Sequence, residues 1–161
     1  MKLEQVKEIL EKIHTVQVAV YGDFCLDAYW ILDPRGGEIS AETALASQAV
    51  ARHYYTLGGA SNVAANLAAL KPANIKAIGA VGNDIFGKEM LRQLQEIGVD
   101  TRSLIPQTEN YNTVTFAKRY LADQEQPRID FGFFNKRSLE TDQAILAALR
   151  DALESCDAVI F

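Results

Sequence analysis

The chain has 161 residues, of which 48% are hydrophobic, enough to bury one core and most simply read as a single domain. A formal net charge of −5 with no basic patch argues against a nucleic-acid surface. Its two cysteines form no C-x-x-C pair and its two histidines no H-E-x-x-H spacing, which speaks against a disulfide framework or a metal motif and suits reduced thiols in the cytoplasm.

MKLEQVKEILEKI (1–13) sets Leu3, Val6, Leu10 and Ile13 at helical spacing with Lys and Glu between them. That pattern predicts an amphipathic helix rather than a signal peptide, which needs an unbroken apolar stretch. No window reaches the roughly 20 apolar residues of a membrane span. VQVAVYG (16–22) reads as a buried strand closed by glycine. Strand-like pieces follow over 26–33, interrupted by Pro34 and Gly36-Gly37, and SQAVARHYYTL (47–57) alternates as a half-exposed strand does. LGGASNVAANLAAL (57–70) opens on two glycines and runs into a helix over about 60–70. IKAIGAVG (75–82) predicts a second buried strand. Asp84 to Ile97 predicts an amphipathic helix with Gly98 as its C-terminal cap. TVTFAKRYL (113–121) and PRIDFGFF (127–134) alternate again, and residues 138–156 predict a helix capped by Ser138 or Thr141. DAVIF (157–161) reads as the start of a buried strand with no turn after it, so the sequence is expected to be the N-terminal part of something longer.

Buried strands alternating with helices imply an α/β fold with a doubly wound parallel sheet. The more evenly alternating strands, at about 26–57 and 113–134, are expected to form a small antiparallel β lid over one edge of the ligand crevice. In such sheets ligands bind beyond the carboxyl ends of the strands, which draws attention to YGDFCLD and to the glycine pair. Gly58 and Gly59 let the backbone approach a ligand or take positive φ, and the helix behind them offers free N–H groups at its positive end. Asn62, one turn in, can donate and accept to a sugar hydroxyl at once. The plainer reading makes the glycines a tight strand-to-helix turn with Ser61 as the cap. Asp27 is the candidate for gripping hydroxyls through charge-assisted hydrogen bonds, while Asp23 is expected to serve a turn. Tyr29 and Trp30 could stack on a sugar ring or fill the lid core. Lys118 and Arg119 are neighbours on one strand, so only one of them can face a site; sharing that face with Arg128, it would clamp an anionic group. Solvated lid charges are the alternative.

GNDIFGK (82–88) matches the spacing of a phosphate loop, but Glu89 stands where Ser or Thr must hold magnesium, and Asp84 puts a carboxylate inside the cradle. A helix start, with Asp84 near its positive end and Gly87 packing on the sheet, accounts for it better.

Taken together, YGDFCLD, GGASNVAANLAAL, GAVGNDIFG and GVDT (98–101) resemble the ribokinase-like (PfkB) sugar kinases over most of residues 16–134. LDAYW, EISAET and AKRYL followed by RID are most similar to the heptose-phosphate kinase branch. The resemblance implies transfer of the ATP γ-phosphoryl group, with Mg²⁺, to a hydroxyl of a sugar or sugar phosphate, in a cytoplasmic protein that can dimerise through its lid. It matches Asp27 to the family's substrate-hydroxyl carboxylate and Gly58, Gly59 and Asn62 to its sugar contacts. Lys118 or Arg119 falls where the phosphorylated-sugar branch carries basic lid residues, and Glu42 is placed only by the ISAET match. The family's second signature, D-T-x-G-A-G-D, with its catalytic aspartate and anion hole, is absent. No catalytic residue and no metal ligand is therefore assigned in this chain, the ATP and Mg²⁺ sites are expected mostly outside it, and the chain alone is expected to be inactive. A non-catalytic sugar-binding or oligomerisation module, and a nucleotide-binding enzyme built on residues 79–88, remain the alternatives.

Overall fold

A strand that is apolar on both faces needs cover on both. The first such strand has it: Val18, Ala19 and Val20 are all buried. The computed structural model describes residues 3–161, so the expected first helix is described from Leu3 and its first two residues lie outside the described residues. In chain order the elements are α1 (Leu3–Ile13), β1 (Gln17–Tyr21), β2 (Phe24–Asp33), β3 (Ala49–Gly58), α2 (Gly59–Ala69), β4 (Asn74–Gly82), α3 (Ile85–Glu96), β5 (Asp100–Gln107), β6 (Val114–Leu121), β7 (Gln124–Phe131), α4 (Leu139–Ser155) and β8 (Ala158–Ile160).

One sheet has the order β5-β4-β1-β8, with every pairing parallel. Residues alternate across it. Val20, Ala77 and Val81 join Ala64 of α2 and Met90 and Leu94 of α3 on one face, while Ala19, Ile78 and Ala80 join Ile145 and Ala152 of α4 on the other. Met90 and Leu94 are fully enclosed, each contributing about 1.5–3 kcal/mol of burial. From β1 the chain builds outward to β4 and β5, then returns to add β8 on the opposite side of β1. That reversal creates a crevice beyond the carboxyl ends of β1 and β8.

The second sheet, in the order β3-β2-β6-β7, is the lid. It is mixed rather than antiparallel: β2 pairs antiparallel with β3 and β6 with β7, but β2 and β6 run parallel. The reason lies in the core. β2 follows β1 and β6 follows β5, two parallel strands, so the hairpins leave the same end in the same direction. β7 begins at Gln124, three residues before the PRIDFGFF stretch, because Ala122 (φ 49°) and Asp123 (φ 63°) form a tight two-residue turn directly after β6. β5, which shows no strand pattern in the sequence, is an edge strand that tolerates Pro106. The lid rests on α3 through Phe86, which packs against Phe131 (ring centroids 5.0 Å apart) and Tyr55 (6.2 Å).

The helix ends follow their caps. Ser138 Oγ accepts from Thr141 N (3.1 Å) at α4, and Gly98 takes φ +82° after α3. Ser61 is not the cap of α2. Gly58 holds that position without a side-chain bond, and the buried Ser61 hydroxyl donates to Met90 Sδ.

Candidate functional site

The glycine pair and the YGDFCLD segment meet. Cys25 lies opposite Gly58 and Asp27 opposite Thr56 in the β2–β3 register, Phe24 bridges to Gly59, and Ala60 N donates to Asp23 O (3.1 Å). A Cβ on Gly58 would stand 3.0 Å from Cys25 Sγ and 3.4 Å from the Asp27 carboxyl carbon. Gly59 has φ +50°, and its Cβ would stand 2.7 Å from Asp23 O. The glycines are needed for this close approach and for the tight turn into α2. The same approach puts the Asp27 carboxylate beside Gly58, the cap of that helix, at the end where its dipole is positive. Asn62 is exposed in the first turn of α2, and its amide makes no hydrogen bond among the described residues.

Parity on β6 decides between the two lid cations. Lys118, opposite Tyr29, turns toward Asp27: its Nζ lies 3.2 Å from Asp27 Oδ2, donates to the Tyr29 hydroxyl (3.2 Å) and sits 4.9 Å above the Tyr29 ring. Burial works against the Lys118 charge, but the hydrogen bonds to Tyr29 and Asp27 and the Asp27 charge outweigh it, holding the ammonium above the usual lysine range. Arg119 points to the other face, donating to Pro127 O and Gln48, and does not join the Asp27 cluster. Arg128 lies over the Phe116 ring (4.4 Å) and is paired with Asp130. The Asp27 charge acts on Arg128 as well.

Other candidates fall elsewhere. Tyr29 is already stacked on Tyr54, with ring centroids 4.7 Å apart and planes within 5°. Trp30 faces the opposite side of β2 from Tyr29. Glu42 sits exposed in the connection between β2 and β3, with no hydrogen bond to the cluster. The Asp23 side chain makes no turn bond. It lines a cavity of about 330 Å³ with Tyr111, Asn135 and Arg137, just past the end of β1. These last three were not singled out in the sequence, since they lie in irregular segments after β5 and β7 where no periodic pattern marks a residue. Burial and then the Asp23 charge push the Tyr111 hydroxyl up. Burial first, then Asp27 and Asp23, push the Cys25 thiol up to about 11, which keeps it neutral beside the carboxylates. Neither Asp27 nor Asn62 lines this cavity, nor a larger one of about 590 Å³ over Gln107 and Ser138. In the larger one Gln107 is committed to structure: it donates to Glu109 O and Lys136 O and accepts from Ser138 N and Thr141 Oγ1.

The 82–88 stretch cannot cradle a phosphate as it stands. Gly82 N donates to Thr113 Oγ1, Asn83 N to Gln107 O, Gly87 N to Asp84 Oδ1 and Lys88 N to Asp84 O, so four of its amides are taken. Among the described residues no group of three or more His, Cys, Asp or Glu side chains could hold a metal ion. What the Asp27 cluster can do is narrower. It offers a carboxylate acceptor, a cation held 3.2 Å from it and, at the helix start behind them, an unengaged amide.

Residues 16–161 match the family model described as pfkB family carbohydrate kinase. The bifunctional protein HldE of Wolinella succinogenes is 37% identical over 145 residues, covering 89% of this chain and 29% of that protein. D-beta-D-heptose 7-phosphate kinase of Bordetella bronchiseptica is 41% identical over 122 residues, covering 75% of this chain and 37% of that protein. The chain thus spans about a third of the length of these curated relatives. Among solved structures, a carbohydrate kinase from Agrobacterium tumefaciens superposes with a TM-score of 0.61 at 17% identity, over 90% of this chain and 44% of that one. Ribokinase from Cryptococcus neoformans in complex with ADP gives 0.57 at 21%, over 91% and 49%. These two likenesses show a shared fold.

Proposed function

Because this chain belongs to the pfkB family of carbohydrate kinases over residues 16–161, we propose that it is the acceptor-sugar-binding part of an ATP-dependent kinase acting on a sugar or sugar-phosphate hydroxyl. The observation that carries this reading is the meeting of Asp27, Gly58 and Lys118 at the start of α2. Asp27 accepts from sugar hydroxyls, the Gly58-Gly59 backbone lets the sugar approach the helix start, and Asn62 reads a second hydroxyl through its free amide. Lys118 supplies the cation for an acceptor that already carries a phosphate. A heptose phosphate is the first candidate, since a relative 41% identical bears the name of such a kinase.

Phosphoryl transfer needs a base for the hydroxyl proton and positive charge around the moving group. ATP and its Mg²⁺ would supply the phosphoryl group and part of that charge. In our reading they are held by segments of the relatives' length that this chain does not span. Asp27, paired to Lys118, acts as a binding group and not as the base. The 161-residue chain then binds sugar but does not turn over ATP, works in the cytoplasm, and can pair with a second copy through the lid.

Thermal-shift titration with sugars and sugar phosphates tests this on wild type and Asp27→Ala. A saturating ligand at about 100 times its Kd adds about 2.7 kcal/mol of stability, and Asp27→Ala should lose most of that gain. An equal response from both proteins would remove Asp27 from the site, and an ATP-dependent kinase rate from the purified chain would overturn the binding-only assignment.

A further inference from the structure

The two residues that lead into β6 are tied down from two sides. Thr113 N donates to Asp84 Oδ2 (2.7 Å), while the other oxygen of the same carboxylate, Oδ1, accepts from Gly87 N (2.8 Å) in the first turn of α3. Thr113 is 1% exposed, and its hydroxyl closes a second link, accepting from Gly82 N (3.0 Å) and facing Gly82 O (3.3 Å). Gly82 and Gly87 make room for this: a Cβ on the first would stand 2.4 Å from Thr113 N, and on the second 2.7 Å from Thr113 Oγ1. From the other side, Asn112 N donates to Asn135 Oδ1 (2.8 Å) and Asn135 Nδ2 donates to Asn112 O (2.7 Å), fastening the segment that leaves β7 to the one that enters β6.

A helix cap uses one carboxylate oxygen, which leaves Asp84 Oδ2 unexplained by the start of α3. That oxygen is spent on the backbone of the strand that carries Lys118. We propose that Asp84 is a positioning residue for the lid: by holding α3 with one oxygen and the root of β6 with the other, it fixes where β6 leaves the core and so where the lid, carrying the Lys118–Asp27 pair that the β2–β6 register holds together, stands against the core. The coupling follows from the geometry. Thr113 immediately precedes β6, and β6 is paired with β2 on one side and β7 on the other, so a shift at this root moves the lid sheet with it. Only the consequence for ligand binding rests on the sugar-binding reading; the anchoring of the lid does not.

Asp84→Asn separates the two roles. An asparagine oxygen still caps Gly87 N, but its amide nitrogen cannot accept from Thr113 N and meets it donor to donor. In hydrogen–deuterium exchange on the 161-residue chain, Asp84→Asn should exchange residues 113–121 and 124–131 at least tenfold faster than wild type. Residues 74–82 and 85–96 should keep their protection. Asp84→Ser, whose single hydroxyl can cap Gly87 N but leaves Thr113 N without its acceptor, should share the lid defect, which keeps the test standing if Asp84→Asn does not fold. Acceleration spread equally over core and lid, or an unchanged lid, would overturn the proposal. The Asp84→Asn protein should also bind sugar phosphates about tenfold more weakly than wild type, and equal binding would overturn the link between lid position and binding. If no sugar binds the wild-type chain, the functional reading falls while the exchange result decides the anchoring alone.

Discussion

Asp27 and Lys118 each keep 21% of their side-chain surface, so their pairing is neither a free surface contact nor a sealed one. Lys118→Met should therefore cost about 1 kcal/mol in urea unfolding and should weaken binding of anionic sugars more than neutral ones. Gly59→Ala should cost more, about 2 kcal/mol, because it forces a side chain into a left-handed backbone and against Asp23 O. Cys25 is buried with its thiol pushed up to about 11, whereas Cys156 is half-buried. Iodoacetamide at pH 8 should label Cys156 and spare Cys25, as peptide mapping would show. Since the folded value lies above the ordinary 9.0, the stability this thiol contributes is complete below about pH 9 and is lost as pH rises through 11. At this scale the sequence marked Asp27 and the glycines, because strand ends and flexible pairs are visible in it. It could not choose between Lys118 and Arg119: alternation says that they oppose each other, but only the register with β2 says which one faces Asp27.

On α3, Arg92 bridges Glu89 and Glu96, one turn of helix to either side. The Arg92 hydrogen bond, with help from Gln93 and against the pull of burial, holds the Glu89 carboxyl down at about 2. A depressed carboxylate stabilises above its ordinary value of 4.5 and loses that contribution as pH falls through about 2. Solvent screens this surface pair, so Glu89→Gln should cost about 0.5 kcal/mol at pH 7, and the gap to wild type should close below pH 2 in thermal melts. The elements themselves were legible wherever periodicity was strong, as in β1, β4, α3 and α4. β5 was not, because its two buried residues, Leu104 and Gln107, fall on opposite faces and leave no alternation to mark it. The start of β7 was missed because an Ala-Asp pair is an unusual occupant of a turn that favours glycine and asparagine.

Across the molecule, α4 shows Leu139, Leu146 and Leu153 to solvent at 73, 53 and 69%, spaced seven residues apart along one side of the helix. A stripe of this kind on a free protein draws other apolar surfaces. Replacing Leu146 and Leu153 together by Glu should leave the melting temperature within about 2 °C of wild type and reduce concentration-dependent self-association in light scattering.

The parallel seam between β2 and β6 also bears on how the chain is made. It joins stretches some 90 residues apart, so it cannot zip locally as either hairpin can. A nascent chain that has delivered β2 and β3 but not β6 holds one flank of β2 bare, a template for any strand that drifts past. Slow synthesis between residues 60 and 110 should therefore raise the fraction lost to aggregates, and a peptide covering 113–131 supplied in trans should rescue it by docking onto that flank.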